Sequence, residues 1–159
     1  MMKIKKYISA AMFIALSTVL TLFVRIPTPV GYIHLGDAVV FVSAMLCGPI
    51  TSAIVGAFGH SFADVLSGYV IYAAPTFLIK GLMGYFTGKI LYNKLAVPRI
   101  ACAAAVSLVI PAIGYFVTEY FVYGIAIALV SLYSSLIQWA ASVAVACALI
   151  PVIKKGIKR

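Results

Sequence analysis

Acidic side chains are almost absent from this chain. Only three of its 159 residues are Asp or Glu, against twelve Lys or Arg, and charged residues make up 9% of the sequence. A soluble domain is about a quarter charged, and a chain of this length cannot hide so much apolar surface inside itself. This scarcity excludes an ordinary soluble domain and predicts that lipid surrounds most of the side chains.

Catalytic and metal-binding motifs are also missing. The chain has no GxSxG, HExxH or P-loop sequence, so it is not expected to be an enzyme or to hydrolyse ATP itself. Its three cysteines lie in apolar segments and are interpreted as small buried apolar residues. His34, Asp37, His60 and Asp64 could offer ligand atoms, but their spacing matches no zinc signature, and no metal is predicted.

Long apolar runs dominate the sequence instead. Hydrophobic residues make up 65% of the chain, and its mean hydropathy is +1.17. A membrane span needs about 20 apolar residues, and the candidate runs are 7–24, 38–46, 50–69, 70–91, 100–121 and 125–153. The sequence therefore predicts an all-α integral membrane protein, a bundle of six transmembrane helices with a short second helix, in a single membrane domain over 1–159.

Basic residues lie at the ends of these runs and predict the orientation. With six spans, the following all fall on one face: Lys3, Lys5, Lys6, Lys89, Lys94, Arg99, Lys154, Lys155, Lys158 and Arg159. Because Lys and Arg concentrate in cytoplasmic loops, the N- and C-termini are both predicted to be cytoplasmic. Arg25 is then the one basic residue expected outside, and Lys80 lies within a span.

The first apolar run is followed by a polar interruption, RIPTPVGYIHLGDAVVF, at 25–41. Pro27 and Pro29 remove backbone donors and stiffen the chain. Tyr32 and His34 are therefore expected on a hairpin-like extracellular lid loop between helices 1 and 2, above the bundle. A plain connector with an interfacial tyrosine is the alternative.

The three acids are all predicted in the outer half of the bundle. Asp37 starts the second helix, where its carboxylate could act as a cap, Asp64 lies one turn after His60, and Glu119 lies near the outer end of span five. Lys80 needs an acidic partner, Asp64 or Asp37, because an unpaired charge within a span is costly. These groups either line an outward-opening pocket or form an ion pair that only fixes helix packing.

Aromatic and polar side chains of spans four to six extend the candidate pocket. Aromatic faces with a few convergent polar groups are typical of sites for small planar ligands. The further candidates are Tyr72, Thr76, Tyr115, Tyr133, Gln138 and Trp139. This set contains no basic cluster that would suit a phosphate group.

Two alanines in span one predict a contact with another helix. Ala11 and Ala15 are four residues apart and share a face, and small residues at this spacing allow close helix approach. The alternative is packing inside the same bundle.

Several of these features together resemble the S components, the substrate-binding subunits, of energy-coupling factor (ECF) vitamin transporters. The resemblance covers essentially the whole chain. It is carried by the segments AMFIA at 11–15, GYIHLGDAVVF at 31–41, CGPITSAIVGAFGHSFAD at 47–64 and APTFLIKGLMGYFTGKI at 74–90.

The resemblance implies a multi-pass protein of the bacterial cytoplasmic membrane that binds one micronutrient with high affinity and needs no cofactor. It implies docking through Ala11 and Ala15 onto a transmembrane T component, with ATP used by two cytoplasmic ATPases rather than by this chain. The first loop would cover the pocket, and spans four to six would supply ligand contacts.

The subgroup looks most like S components of the riboflavin, hydroxymethylpyrimidine and pyridoxine type. The expected cargo is a small aromatic heterocycle with hydroxymethyl groups, and riboflavin, thiamine or a queuosine precursor stay open. Two other functions compete with uptake by a binding subunit. One is a stand-alone facilitator or small channel, and the other is a membrane scaffold whose ion pairs serve folding alone.

Overall fold

The computed structural model describes residues 2–28 and 31–157 and consists of six helices and one small hairpin. The elements in chain order are α1 (Met2–Phe23), β1 (Arg25–Thr28), β2 (Gly31–His34), α2 (Gly36–Cys47), α3 (Pro49–Leu66), α4 (Val70–Leu91), α5 (Val97–Tyr123) and α6 (Ile125–Ile157). The predicted count of six helices, with a short second one, is confirmed. The two strands are an addition to the all-α prediction.

Four of these helices, α1, α4, α5 and α6, are long and apolar enough to cross a membrane. The helix α2 has 12 residues and α3 has 18, and neither meets both conditions within the described residues. The prediction that all six helices span the membrane stays a prediction. Every helix nevertheless exposes large apolar side chains, as at Met12, Leu46, Ile50, Leu78, Ile113 and Leu129.

The hairpin of β1 and β2 connects α1 to α2. The strands β1 and β2 are antiparallel, with Arg25 opposite His34 and Pro27 opposite Tyr32. A β-strand places successive side chains on opposite faces, so Tyr32 and His34 share one face, and that face lies against the bundle. Pro29, predicted to stiffen this loop, lies outside the described residues.

The most extensive helix contact is between α3 and α4. Gly56 and Gly84 have no side chain between the two backbones, and an added Cβ would collide with the carbonyl oxygens of Lys80 and Ser52 respectively. The Ser52 hydroxyl donates a hydrogen bond to the Gly84 carbonyl oxygen at 2.7 Å. Small residues and interhelical serine hydrogen bonds are how membrane helices hold each other closely.

The two ends of the bundle differ in chemistry. At the end opposite the hairpin, α2, α4, α5 and α6 bury an apolar cluster, which we call the inner cluster: Phe41, Met45, Leu91, Ala103, Ala146, Ile150 and Ile153. At the hairpin end lie the buried acids and the tyrosines. Of the basic residues predicted to face the cytoplasm, Lys89 and Lys94 lie close in sequence to Leu91 of the inner cluster, and Lys155 follows Ile153 of the same cluster. Lys158 and Arg159 lie outside the described residues.

The contact between α3 and α4 gives a first prediction. We expect Gly84→Ala to lower the free energy of unfolding in detergent by about 1–3 kcal/mol, because the added methyl group forces the two backbones apart. Thermal unfolding of the purified protein measures this change.

Gly81→Ala is the matched control on the same helix. Its added Cβ would meet the Cβ of Ala57 at 3.4 Å, an ordinary contact, so its melting temperature should equal or exceed that of the parent. Equal melting temperatures for both variants would show that the helices do not pack as closely as described.

Candidate functional site

A buried ion pair joins α2 to α4 at the hairpin end. The Lys80 ammonium lies 2.8 and 2.7 Å from the two carboxylate oxygens of Asp37, and Lys80 is fully buried. Gln138 on α6 donates a third hydrogen bond to Asp37, at 2.7 Å. The partner of Lys80, predicted as Asp64 or Asp37, is therefore Asp37, and its carboxylate makes no capping hydrogen bond.

His60 brings α3 into the same cluster. Its Nδ1 donates to the carbonyl oxygen of Gly56 at 3.0 Å, and its Nε2 lies 3.2 Å from Asp37 Oδ1. That second pair of atoms lacks the alignment of a hydrogen bond. We therefore treat it as a contact between two polar groups that attracts only when the ring is protonated.

The ligand atoms of His34, Asp37 and His60 lie within 4.8 Å of one another, which is close enough to hold a metal ion. However, the Asp37 carboxylate already binds the Lys80 ammonium with both oxygens. A cation on Asp37 would face that positive charge at short range. The absence of a metal, expected from the sequence, stays a prediction, and the geometry favours lysine as the cation of this cluster.

Two polar contacts join the hairpin to α3 and to Ser67, the residue that follows α3. The Tyr32 hydroxyl donates to Asp64 Oδ1 at 2.7 Å, and Arg25 Nη1 donates to the Ser67 hydroxyl at 2.6 Å. The Arg25 guanidinium also lies over the Tyr32 ring, 5.1 Å from its centroid. Burial, together with the neighbouring Asp64, raises the pKa of Tyr32 above its usual range, so its hydroxyl stays a hydrogen-bond donor.

His34 fastens the other end of the strand to the bundle. Its backbone N–H lies 3.4 Å from the Gln138 side-chain oxygen, and its ring Nδ1 accepts a hydrogen bond from the Gly36 N–H at 3.2 Å. Burial lowers the pKa of His34 well below its usual range, although the charge of Asp37 acts in the opposite direction. The ring is therefore neutral at pH 7 and serves as an acceptor.

A cavity lies beneath the hairpin, between α4, α5 and α6. Its volume, measured for the centre of a water-sized sphere, is about 90 Å³. One water molecule needs only about 10–15 Å³ on this measure, so the cavity has room for a small organic molecule. It is lined by Thr28, Tyr32, His34, Asp37, Asp64, Tyr69, Tyr72, Thr76, Ser107, Leu108, Pro111, Tyr115, Glu119, Ser131, Ser134, Ser135, Gln138 and Trp139.

Most of the predicted binding residues meet at this cavity. The structure brings together Tyr32, His34, Asp37, Asp64, Tyr72, Thr76, Tyr115, Glu119, Gln138 and Trp139. Lys80 is not among the lining residues, but it lies below them and contacts the lining through Asp37. Tyr133 is also not among them: its side chain is 68% exposed on the outer surface of α6, so its predicted place in the pocket is wrong. The binding role of the others stays a prediction.

Sequence reasoning missed a row of serines on α6. Ser134 and Ser135 lie three and four residues after Ser131, and Gln138 lies four and three residues after them, which places all four on one face of a helix. All four line the cavity. This spacing was visible in the sequence and is the signal that could have found them.

Sequence reasoning also missed Ser107 and Pro111 on α5. Proline has no N–H to bond the carbonyl group four residues earlier, so Pro111 leaves the carbonyl oxygen of Ser107 without its helical partner. Both residues line the cavity.

Aromatic rings form much of the cavity wall. The Trp139 Nε1 donates to the carbonyl oxygen of Ala104 at 2.7 Å, which fixes the indole. The Tyr115 hydroxyl donates to the Thr76 hydroxyl at 3.2 Å, and the Lys80 ammonium lies 5.6 Å from the Tyr115 ring centroid. Two oriented aromatic rings and several hydroxyl groups suit a flat ring with polar substituents.

Ala11 and Ala15 lie far from this cavity. Both are exposed and line a shallow apolar groove between α1 and α3. The alternative of packing inside the bundle is therefore excluded for their side chains, and the groove faces the surroundings of the protein.

Comparisons with known proteins agree with this architecture. The profile of the ECF-type riboflavin transporter, S component, family matches residues 1–155. The chain is also 31% identical over 142 residues to a protein of Pyrococcus woesei described as an "Uncharacterized protein in gap 3'region", an alignment that covers 88% of this chain and 95% of the relative.

The family consists of transporter subunits that bind substrate, not of enzymes. It implies a vitamin-type substrate and association with a T component and ATPases. The family profile matches nearly the whole chain, four helices are long and apolar enough to cross a membrane, and a cavity lies beneath the hairpin. This chain therefore belongs to the ECF-type riboflavin transporter S component family.

Proposed function

We propose that this chain binds a small planar heterocyclic vitamin, or a precursor of one, in the cavity beneath the hairpin. A ring with hydroxymethyl groups, of the pyridoxine or hydroxymethylpyrimidine kind, fits best. The observation that carries the proposal is a cavity of about 90 Å³ whose wall combines Trp139 and Tyr115 with serine hydroxyls and carboxyl groups. Riboflavin, thiamine and a queuosine precursor are the competing cargoes.

We further propose that all six helices span the membrane, with the hairpin outside and the basic residues in the cytoplasm. The uneven distribution of Lys and Arg supports this topology, as does the separation of the polar hairpin end from the inner cluster. The membrane is then the cytoplasmic membrane of the cell, and the cavity takes its ligand from outside.

The inner cluster also supports a binding subunit over a facilitator or channel. A channel needs a polar path to both faces. Below the Asp37–Lys80 pair, the described helices bury the apolar side chains of the inner cluster, including Phe41 and Met45. Release on the inner side therefore requires a conformational change, and the family resemblance implies a movement of the whole subunit that the partner proteins would drive.

The groove at Ala11 and Ala15 is our candidate docking surface for the T component. Both side chains are small and exposed, so a partner helix could approach the α1 backbone closely. The two ATPases would act through the T component, and ATP would never contact this chain.

The first test identifies the cargo. Protein purified in detergent without ATP should carry a small molecule that mass spectrometry names, and pyridoxine or hydroxymethylpyrimidine is the expected result. Because Trp139 is the single tryptophan, its fluorescence should change when that molecule is added back. A protein that carries no small molecule and shows no fluorescence change with any of the candidate vitamins would contradict the proposal.

The second test concerns the ion pair. Lys80→Met should weaken ligand binding roughly 100-fold and destabilise the fold by about 3–5 kcal/mol, because it leaves the buried Asp37 carboxylate without its cation. Calorimetric titration and thermal unfolding measure the two effects.

The double variant Lys80→Met/Asp37→Asn is the control for charge. It removes both charges, so most of the thermal stability should return while binding stays weak, since Asp37 lines the cavity. Unchanged ligand affinity in Lys80→Met would show that the pair serves folding alone.

The third test addresses docking. Ala11→Trp and Ala15→Trp should leave ligand binding intact and abolish ATP-driven uptake, because the indole blocks close helix approach. Ala105→Trp is the matched control, since Ala105 is also exposed but lies on α5. Uptake at the parental rate in both α1 variants would rule out this face as the docking surface.

A further inference from the structure

Two of the three acids in the chain reach the cavity without a cation. Asp64 and Glu119 are 8% and 4% exposed, and both line the cavity. Among the described residues, the salt bridge of a lysine or arginine is the one between Lys80 and Asp37, and the His60 ring also lies beside Asp37. The nearby Arg25 is directed to Ser67 instead.

Each of these carboxyl groups has one oxygen without a well-aligned hydrogen bond to the rest of the protein. Asp64 Oδ1 accepts the hydrogen bond from Tyr32, and Glu119 Oε1 lies 3.4 Å from the Tyr72 hydroxyl. Asp64 Oδ2 and Glu119 Oε2 are buried and make no well-aligned hydrogen bond within the described residues, although the Thr76 hydroxyl lies near Asp64 and the Ser131 hydroxyl lies near Glu119. A buried polar atom without a partner is costly, and two such atoms in one cavity wall point to a ligand that supplies the partners.

The two acids are placed so that one small molecule can reach both. Glu119 lies beside Tyr72, and Asp64 lies beside Thr76. Tyr72 and Thr76 are four residues apart on α4, which is a rise of about 6 Å along the helix. Each acid therefore lies beside a cavity-lining residue of α4, and these two residues of α4 are about one helical turn apart.

The lining of the cavity also has no lysine or arginine that would neutralise a negatively charged ligand. The Lys80 ammonium below the lining residues is already paired with Asp37. An anionic substituent, such as a phosphate ester or a carboxylate, would face Asp37, Asp64 and Glu119 at short range. Like charges at such distances repel strongly in a site of low dielectric constant.

We propose that the cavity selects a nitrogen base, a heterocycle with a basic ring nitrogen or an amino group, and rejects anionic forms of the same ring. The proposal rests on the proposed function and narrows its ligand class. The base donates hydrogen bonds to Asp64 and Glu119. Where a carboxyl group is protonated before binding, its proton passes from the carboxyl oxygen to the ring nitrogen, which leaves a carboxylate paired with a protonated base and no net change of charge.

The serines of α6 would also contribute to the choice of ligand. Ser131 and Ser134 line the cavity from α6 together with Gln138, whereas Tyr72 and Thr76 line it from α4. Their hydroxyls can donate to or accept from hydroxymethyl substituents of the ring. Bases with hydroxyl groups would therefore use both walls of the cavity.

The test compares ligands on the full chain in detergent by isothermal titration calorimetry. The bases are 4-amino-5-hydroxymethyl-2-methylpyrimidine and pyridoxamine, the anions are their phosphate esters, and riboflavin is the ring without a basic nitrogen. We expect at least one base to bind 100-fold or more tightly than its own phosphate ester and more tightly than riboflavin. This comparison needs no variant, so it does not depend on whether a variant folds.

The variants Asp64→Asn and Glu119→Gln then assign the selectivity. Each variant should weaken binding of the base tenfold or more. The difference in affinity between the base and its phosphate ester should also become smaller. Thermal unfolding checks that each variant is folded. Tyr133→Phe, an exposed residue outside the cavity, is the control and should bind as the parent does.

Two results would overturn the inference. If riboflavin or a phosphate ester binds more tightly than every base, the inference is wrong while the proposed function stands. The inference also fails if neither acid variant changes the affinity for a base. If no probe binds and no molecule co-purifies, the proposed function fails as well.

Discussion

The rest of the structure depends on one buried interaction, the ion pair between Asp37 and Lys80. Two charges removed from water are tolerated only when their geometry and their remaining hydrogen bonds are good. Here the ammonium contacts both carboxylate oxygens, and Gln138 satisfies one of them from a third helix. The pair therefore ties α2, α4 and α6 together at one depth.

The Asp37–Lys80 pair lies at the boundary between a polar part and an apolar part of the bundle. On the hairpin side of the pair, polar groups line a cavity. On the other side, Phe41, Met45 and Leu91 belong to a cluster of buried apolar side chains. The close contact of α3 and α4 at Gly56 and Gly84 holds the backbone of Lys80 at its position. Because Lys80 in turn holds Asp37, which lines the cavity, these small residues affect the shape of the cavity indirectly.

The position of the hairpin depends on the polar side chains around Asp37. His34 in β2 reaches Gln138, which in turn donates to Asp37, while Tyr32 reaches the separate acid Asp64. A ligand that binds Asp64 would share that carboxyl group with the hairpin. Such a ligand and the hairpin would therefore be neighbours in one hydrogen-bonded network.

The sequence predicted the helices well because apolar runs and Gly-Pro breaks are local signals. It left the partner of Lys80 open between Asp37 and Asp64, because both lie at a similar depth and only the packing of helices decides between them. The serines of α6 could have been found: Tyr133 lies about 200° around the helix from Ser131, which helical periodicity alone shows. The hairpin strands depend on contacts far apart in sequence and could be expected only as a stiff loop.

An experimental structure of the chain with the molecule that it carries tests the central claim most directly. The account predicts a ring between Trp139 and the acids of α3 and α5, beneath the hairpin, with the Asp37–Lys80 pair intact below it. A molecule bound at another place, or a Lys80 side chain that leaves Asp37 to contact the ligand, would contradict the account.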